Sequence, residues 1–362
     1  MILHNLISKV CHKSNAKIFS CFVDFSSAFD TVPRDLLLKK LLSHNITGHV
    51  FNIIRNIYTS DEACIKIGNK LTESFCVNRG VRQGCVLSPL LFNIFLADLV
   101  KELDKNRGKL KIGDMDVASL VWADDIVLLA STESDLQGML RTLETYCETN
   151  RLTINSDKTK CMIFNKTGRL MRRHFFINRT PIECVRSFKY LGFLITPSGE
   201  INTGLQDLRD RALKAFMKLK YTMGDAFKQD ISITLFLTDM LIKPILLYLS
   251  DFWGCFKLPR NNPIENMNMM IYKHLLGVQK QTMNVGVLLE LGRVPLSLSA
   301  IKMSIKNWDR IRRGQANELL ITSYREAVEK NLKWVFTIKE TLEVNGMLNS
   351  FLGYDINGLF PV

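Results

Sequence analysis

Three aspartates carry the chemistry that this sequence offers. Asp124 and Asp125 are adjacent, between the apolar stretches Leu120-Val121-Trp122 and Ile126-Val127-Leu128-Leu129-Ala130. Strand-like composition on both sides of a short polar pair predicts a β-hairpin with the acids at its tip, because Asp tolerates turn geometry while Val, Ile and Leu pack on a sheet. Two neighbouring carboxylates repel each other unless a cation neutralises them, and a hard ion such as Mg²⁺ takes oxygen ligands. Taken alone, such a pair reads first as an exposed, solvated turn. Asp24 closes a second apolar run, Ile18-Phe19-Ser20-Cys21-Phe22-Val23, whose composition predicts a buried strand. If the two segments share a sheet, three carboxylates meet. Around two Mg²⁺ ions they would form the ligand set that in-line nucleotidyl transfer requires.

The segments that must position these acids have readable periods. Pro33 opens a leucine-rich helix to about Leu42, and Val50, Ile53, Ile54 and Ile57 form the apolar stripe of a second helix. Residues 63–67 and 71–77 pair as a hairpin about Gly68-Asn69-Lys70. In the loop 79–89, Gly80 and Gly84 allow a close backbone approach to a ligand and Arg82 and Gln83 supply donors, although an ordinary glycine turn has the same composition. Ser88 and Pro89 then start a core helix that runs to about Leu103. Leu136, Leu140, Leu143 and Cys147 mark an amphipathic helix, and residues 152–164 form a turn carrying Lys158 followed by a strand. Residues 175–177 and 182–185 read as a hairpin, and Gly192 interrupts a strand within 188–195, the mark of a bulge or a close backbone contact. From Thr203 to Phe227 the stripe is Leu205, Leu208, Ala212, Ala215, Phe216 and Leu219. Arg209, Arg211, Lys214, Lys218 and Lys220 fall largely off it, as a solvated face or as phosphate contacts. Beyond Ile231 the chain is helical and chemically quiet.

Composition narrows the partners. The 362 residues are 47% hydrophobic, enough for a sizeable core and for roughly two or three domains. The formal charge is +13, and residues 166–229 hold 13 basic against 5 acidic side chains, so +8 of that excess sits in one block. A local excess of this kind points to an anionic partner, nucleic acid or a membrane surface. The nine cysteines are scattered, with no CxxC pair and no zinc-ligand spacing, which argues for reduced thiols in an intracellular compartment and against a disulfide framework. The N-terminus lacks a signal-peptide core. The most apolar stretch, 231–256, is broken by Asp239, Lys243, Pro244 and Asp251, as in a buried helix pair and unlike a membrane span.

Taken in order, Phe22-Val23-Asp24-Phe25-Ser26-Ser27-Ala28-Phe29-Asp30, Gly80-Val81-Arg82-Gln83-Gly84 through Ser88-Pro89, Ala123-Asp124-Asp125, residues 152–159 and residues 188–193 resemble the successive palm motifs of a reverse transcriptase of the non-LTR (LINE) type. Pro244 to Tyr248 with Trp253-Gly254, and Leu288 to Arg293, are similar to the C-terminal region of LINE polyproteins, so nearly the whole chain is covered. The resemblance implies an α+β polymerase right-hand palm, a small antiparallel sheet backed by helices, followed by an all-α thumb and C-terminal region. It divides the chain into a palm with truncated fingers over 1–200, a thumb-like region over 201–260 and a helical C-terminal region over 261–362. The implied activity is RNA-directed DNA polymerase, using two Mg²⁺ ions (or Mn²⁺ in their place), dNTPs, an RNA template and a DNA primer, in the nucleus or cytoplasm and with no membrane.

Carried over residue by residue, the resemblance makes Asp24, Asp124 and Asp125 the metal ligands, with the carbonyl of Phe25 completing one coordination sphere. Phe29 takes the place of the ring that excludes a 2′-hydroxyl; a buried core Phe is the other reading. A small or polar residue there would suit an RNA-dependent RNA polymerase instead. Arg82, Gln83 and Gly84 would lie against the nucleotide and template. Lys158 would protonate the pyrophosphate or bind its charge, or is simply exposed. Tyr190, Leu191 and Gly192 would form the primer grip, with Arg209, Lys214 and Lys218 along the primer–template. Three departures stand out: only 23 residues precede Asp24, Arg151 occupies a position where the family usually has Gly, and so does Leu249. The short leader implies that most of the fingers are missing. The alternative to a working polymerase is therefore a catalytically silent remnant that at most binds nucleic acid.

Overall fold

A run as apolar as Ile18–Val23 is stable only if both of its faces are covered. In the computed structural model, which describes residues 1–13, 16–59, 61–106, 108–224, 227, 230–259 and 261–344, this strand lies inside a four-stranded sheet. The order is Lys160–Phe164, Ile18–Val23, Asp125–Ala130, Ser119–Trp122, every pair antiparallel. Alternate residues serve opposite faces. Cys21, Val23, Ile126, Leu128 and Ala130 join a core with Phe92, Phe95 and Leu99 of the helix Ser88–Leu103 and with Leu136, Leu140 and Leu143 of the helix Glu133–Asn150. Phe22, Val127 and Leu129 on the other face are buried as well. Each such side chain contributes about 1.5–3 kcal/mol on leaving water.

Helix ends follow local chemistry. Thr132 caps Glu133–Asn150 by accepting the Asp135 N–H. At the far end Arg151 is left-handed (φ 52°) and the Leu152 N–H donates to the Cys147 carbonyl, the Schellman arrangement. Ser88, expected as a cap, is instead the first helical residue, buried, with its hydroxyl on the Arg82 carbonyl. The helix Gly48–Thr59 turns a different face inward than expected. It buries Ile54 and Tyr58 and leaves Val50 and Ile53 exposed, because the tyrosine ring rather than the aliphatic stripe fills the core. The hairpin around Gly68 forms as two short ladders, Glu62–Ala63 with Phe75–Cys76 and Lys66–Ile67 with Lys70–Leu71. A further ribbon pairs Phe175–Ile177 with Thr180–Ile182.

Two compact units emerge, one of residues 16–165 with 169–186, the other of residues 1–15, 166–168 and 187–362. The cut near 187 differs from the 1–200, 201–260 and 261–362 division expected from the sequence. The second unit is built mostly of helices. Its helix Asn202–Met223 buries Leu205, Leu208, Ala212, Phe216 and Leu219 against Ile264, Met267 and Ile271 of Pro263–Leu275. The region expected to be helical over 261–362 is so as far as the helix Lys333–Val344, and residues 345–362 lie outside the described residues, as do 225 and 226 of the stretch expected to be helical to Phe227. Among the described residues no helix is long and apolar enough to cross a membrane. All nine cysteines are free.

Candidate active site

Sheet register brings the acids together. Val23 pairs with Ile126 across the two central strands, so one step further along this antiparallel ladder sets Asp24 opposite Asp125. Trp122 pairs with Asp125, which leaves Ala123-Asp124 as a two-residue loop. Asp124 is thus at the tip and Asp125 is the first residue of the outgoing strand, not a second tip residue. Ala123 has φ 53°, a left-handed conformation that glycine usually supplies at the first position of such a loop and that costs a residue with a Cβ about 1–2 kcal/mol.

The Asp24 segment is tied from the other side. The Asp24 N–H donates to Thr159 Oγ1 at 3.2 Å, the Asn155 N–H to the Asp24 carbonyl at 2.8 Å and the Ser26 N–H to the Thr153 carbonyl at 2.9 Å. Asn155 also shapes the turn that presents Lys158, whose Nζ is 3.9 Å from Asp24 Oδ2. Lys158 is 71% exposed, so this pair adds little to stability and leaves the ammonium available. Phe25, whose carbonyl is the fourth expected ligand, is buried and bridges to Ile154.

The electrostatics agree with a shared site. The Asp125 carboxyl is pushed above its ordinary pKa, first by partial desolvation and then by the charges of Asp124 and Asp24. Among the described residues no group of three acids, histidines or cysteines is arranged as it would be around an ion. The donor chemistry nevertheless fits one: three carboxylates whose mutual repulsion a hard divalent cation would relieve.

The loop after Arg79 is stitched to the segment that follows Asp24. Gly80 N–H donates to the Val32 carbonyl at 2.9 Å and Val81 N–H to the Phe29 carbonyl at 2.8 Å. Gly80 has φ 82°, and a Cβ there would lie 2.7 Å from the Asp30 carbonyl oxygen. Its close approach is therefore to the Asp30 backbone, while Gly84 has open space around it. Gln83 Nε2 bonds both carboxylate oxygens of Asp30, at 2.9 and 3.1 Å. Arg82 pairs with Asp61 at 2.6 Å. Phe29 stacks on Phe92 at 4.8 Å between centroids, half-buried. Beside the hairpin, Pro89, Asn93, Val121 and an exposed Trp122 line a cleft of about 370 Å³.

The remaining expected site residues belong to the other unit. Tyr190 pairs with Phe193, so Leu191 (φ 46°) and Gly192 (φ 74°) form a tight hairpin turn between Phe188–Tyr190 and Phe193–Ile195. Two positive φ values are what a type I′ turn demands, so Gly192 marks a turn and not a bulge. The close contact expected of it is real, since a Cβ at Gly192 would sit 2.9 Å from Tyr248 Oη. That hydroxyl donates to the Leu191 carbonyl at 2.9 Å and Arg211 Nη2 donates to the Gly192 carbonyl at 2.8 Å. Arg209 pairs with Asp210 at 2.8 Å, while Lys214 and Lys218 stand exposed on the helix Asn202–Met223.

No structural part was expected from the sequence for Asp30, Arg34, Asp61 or Tyr248, although Asp30 and Tyr248 lie in segments that carried the resemblance. Asp61 and Arg34 look like ordinary surface charges in sequence, and only their burial, each 9% exposed, singles them out. The segment Pro244 to Tyr248 did carry a signal, but not for what its tyrosine touches.

A model of the family described as reverse transcriptase (RNA-dependent DNA polymerase) matches residues 2–195. The retrovirus-related Pol polyprotein from type-1 retrotransposable element R2 of Popillia japonica is 31% identical over 185 residues, 49% of this chain and 30% of that protein. That from type-2 retrotransposable element R2DM of Drosophila melanogaster is 26% identical over 209 residues, 54% of this chain and 20% of that protein. The RNA-directed DNA polymerase from mobile element jockey of Drosophila funebris is 21% identical over 283 residues, 76% of this chain and 30% of that protein. The chain thus spans between 20% and 30% of the length of these curated relatives. Among solved structures, telomerase from Candida albicans in complex with a TWJ fragment of telomeric RNA aligns over 91% of this chain and 49% of that one, at 15% identity and a TM-score of 0.45.

Proposed function

Because this chain belongs to the reverse transcriptase (RNA-dependent DNA polymerase) family, we propose that it extends a DNA primer on an RNA template with dNTPs, as part of a LINE-type retroelement. The observation that carries this reading is the sheet register that sets Asp24 opposite Asp125, with Asp124 next in the turn and Lys158 at 3.9 Å from Asp24. Asp24, Asp124, Asp125 and the Phe25 carbonyl would hold two Mg²⁺ ions, or Mn²⁺ in their place, whose chemistry when bound is to ease ionisation of the primer 3′-hydroxyl and to neutralise the triphosphate.

The chain's own residues do the rest. Asp24 and Asp125 come from two adjacent strands, so the sheet fixes their separation before substrate arrives, and little is lost to reorganisation. Lys158, 71% exposed, gives a proton to the departing pyrophosphate or binds its charge. Phe29, braced by Phe92, presents a ring edge to the sugar and excludes a 2′-hydroxyl. Arg82, Gln83 and Gly84 lie along the nucleotide and template. The turn Tyr190-Leu191-Gly192, together with Arg209, Lys214 and Lys218, holds the primer–template through its backbone, without reading bases. In this assignment residues 1–200 serve as palm, 201–260 as thumb and 261–362 as the C-terminal region.

The test is Mg²⁺-dependent dNTP incorporation on poly(rA)/oligo(dT), beside the Asp124→Ala, Asp125→Ala double variant. Incorporation that drops by at least about a hundredfold in the variant supports the proposal. Wild-type chain that binds primer–template in a salt-sensitive way but never extends it would make this a nucleic-acid-binding relative without catalysis.

A further inference from the structure

We infer that Asp61 is a positioning residue that aims Arg82 at the triphosphate of the incoming nucleotide, an inference that rests on the polymerase reading above. Asp61 follows the helix Gly48–Thr59 and precedes the exposed ribbon that starts at Glu62. Both of its oxygens are committed. Oδ2 accepts from Arg34 Nη2 at 2.6 Å, and Oδ1 accepts from Arg82 Nε at 3.0 Å and Nη2 at 2.6 Å.

Arg34 makes this carboxylate rigid. It is as buried as Asp61, and its other donors reach main-chain carbonyls, Nε that of Gly80 at 2.9 Å and Nη1 those of Tyr58, also at 2.9 Å, and Val77. One guanidinium therefore joins the end of the Gly48–Thr59 helix, the end of the ribbon and the first glycine of the loop. A buried charge cluster is a poor route to stability, since apolar residues of similar volume commonly do as well or better. Its use here fits a need for fixed geometry.

What that geometry fixes is Arg82. Its guanidinium is 47% exposed, with Nε and Nη2 on Asp61, a further bond from Nη2 to the Ile57 carbonyl at 3.2 Å, and no hydrogen bond from Nη1 among the described residues. The loop that carries it is tied to residues 29–32, which follow Asp24 in sequence, through Val81 on Phe29, Gly80 on Val32 and Gln83 on Asp30. Arg82 therefore offers one free, charged edge from a side chain whose rotamer is already set, on a loop tied to the segment that leads from the catalytic strand. A long side chain that is ordered beforehand loses less freedom when it takes up an anion.

The experiment is a double-variant cycle of Asp61→Asn and Arg82→Gln in the full chain, read by steady-state kinetics at saturating primer–template. Asp61→Asn should raise KM for dNTP roughly three- to tenfold, with kcat changed less than about twofold and primer–template affinity unchanged. Arg82→Gln should raise KM at least as much, and the two effects should not add. An unchanged KM in a folded Asp61→Asn protein, or additive effects, would overturn the inference. If circular dichroism shows that Asp61→Asn does not fold, Arg34→Met with Asp61→Asn removes the unpaired charge and takes its place. Should wild type incorporate no dNTP, the polymerase reading fails by itself, and direct titration with a fluorescent deoxynucleoside triphosphate then decides. Weaker binding by the Asp61 variant upholds the positioning role; equal binding, or none by wild type, ends it.

Discussion

Asp61 illustrates how a single residue can be both cheap to overlook and expensive to change. Burial by itself would raise the pKa of its carboxyl, but the hydrogen bonds and charges of Arg82 and Arg34 outweigh that and hold it below the ordinary value of 3.8. A carboxyl with a folded-state pKa below its unfolded one stabilises the fold at pH above the unfolded value, and that contribution fades as the pH falls through the folded value. Melting temperatures of wild type and Asp61→Asn should therefore differ most at neutral pH and converge as the pH drops below about 4. A gap that stays constant down to about pH 3 would mean that the charge of Asp61 contributes nothing. Residue type alone could not have disclosed this. Asp24, Asp124 and Asp125 were readable because each sits at the end of an apolar run, whereas Asp61 and Arg34 are polar residues among polar residues. Phe29 shows the same limit: an aromatic in that position suits a sugar gate or a core, and its stacking on Phe92 with part of the ring exposed is compatible with either.

At the scale of elements, the departures from family pattern become physical. Arg151 and Leu249, both flagged as standing where glycine is usual, both adopt left-handed backbone, φ 52° and 54°. Their sequence neighbours could not have shown this, because φ sign is not written in hydrophobic period; the expected glycine was the only trace. Arg151 ends the helix Glu133–Asn150, and among the described residues its side chain reaches only Asp35, at 3.4 Å, an exposed pair worth little. Arg151→Gly should therefore stabilise the protein by about 0.5–1 kcal/mol, the left-handed strain relieved less the greater freedom of glycine in the unfolded chain. Chemical denaturation checks it, and a lower midpoint at unchanged slope would show that the arginine earns more than its conformation costs. Leu249 makes no such clean case, since it also packs against the second core. Strands were legible for a different reason: short continuous apolar runs are the mark of strands buried on both faces, and Ile18–Val23, Asp125–Ala130 and Lys160–Phe164 all formed where expected. The helix Gly48–Thr59 was legible as a helix but not in its orientation, because Tyr58 competes with Val50 and Ile53 for the buried side.

Contacts between distant parts of the chain lie beyond any local pattern. Asn5 donates to Ser323 Oγ at 2.9 Å and accepts from Trp334 Nε1 at 2.9 Å, which places the first helix with the C-terminal helices and explains why the compact units do not follow chain order. Charge distribution, by contrast, is additive and can be counted from the sequence, so the basic block over 166–229 was visible at once. Where that block is already paired internally, a ligand has to share or displace the acidic partner and gains less from the charge: Arg209 is paired with Asp210, and Arg211 and Lys189 with Asp207. Lys214 and Lys218 are exposed and make no ion pair among the described residues, and they lie four apart on one helix, hence on one side of it. If both meet primer–template phosphates, each releases about one counterion on binding. Lys214→Ala and Lys218→Ala should then each flatten the plot of log K against log salt by about 0.7–0.9, with equal losses on different template sequences. Arg209→Ala, which removes an already paired charge, should change the slope by less. Filter binding or fluorescence anisotropy between about 50 and 200 mM salt resolves such slopes. Equal effects at all three positions would mean that the pairing of Arg209 breaks on binding and that the whole helix face, not its two free lysines, is what the nucleic acid meets.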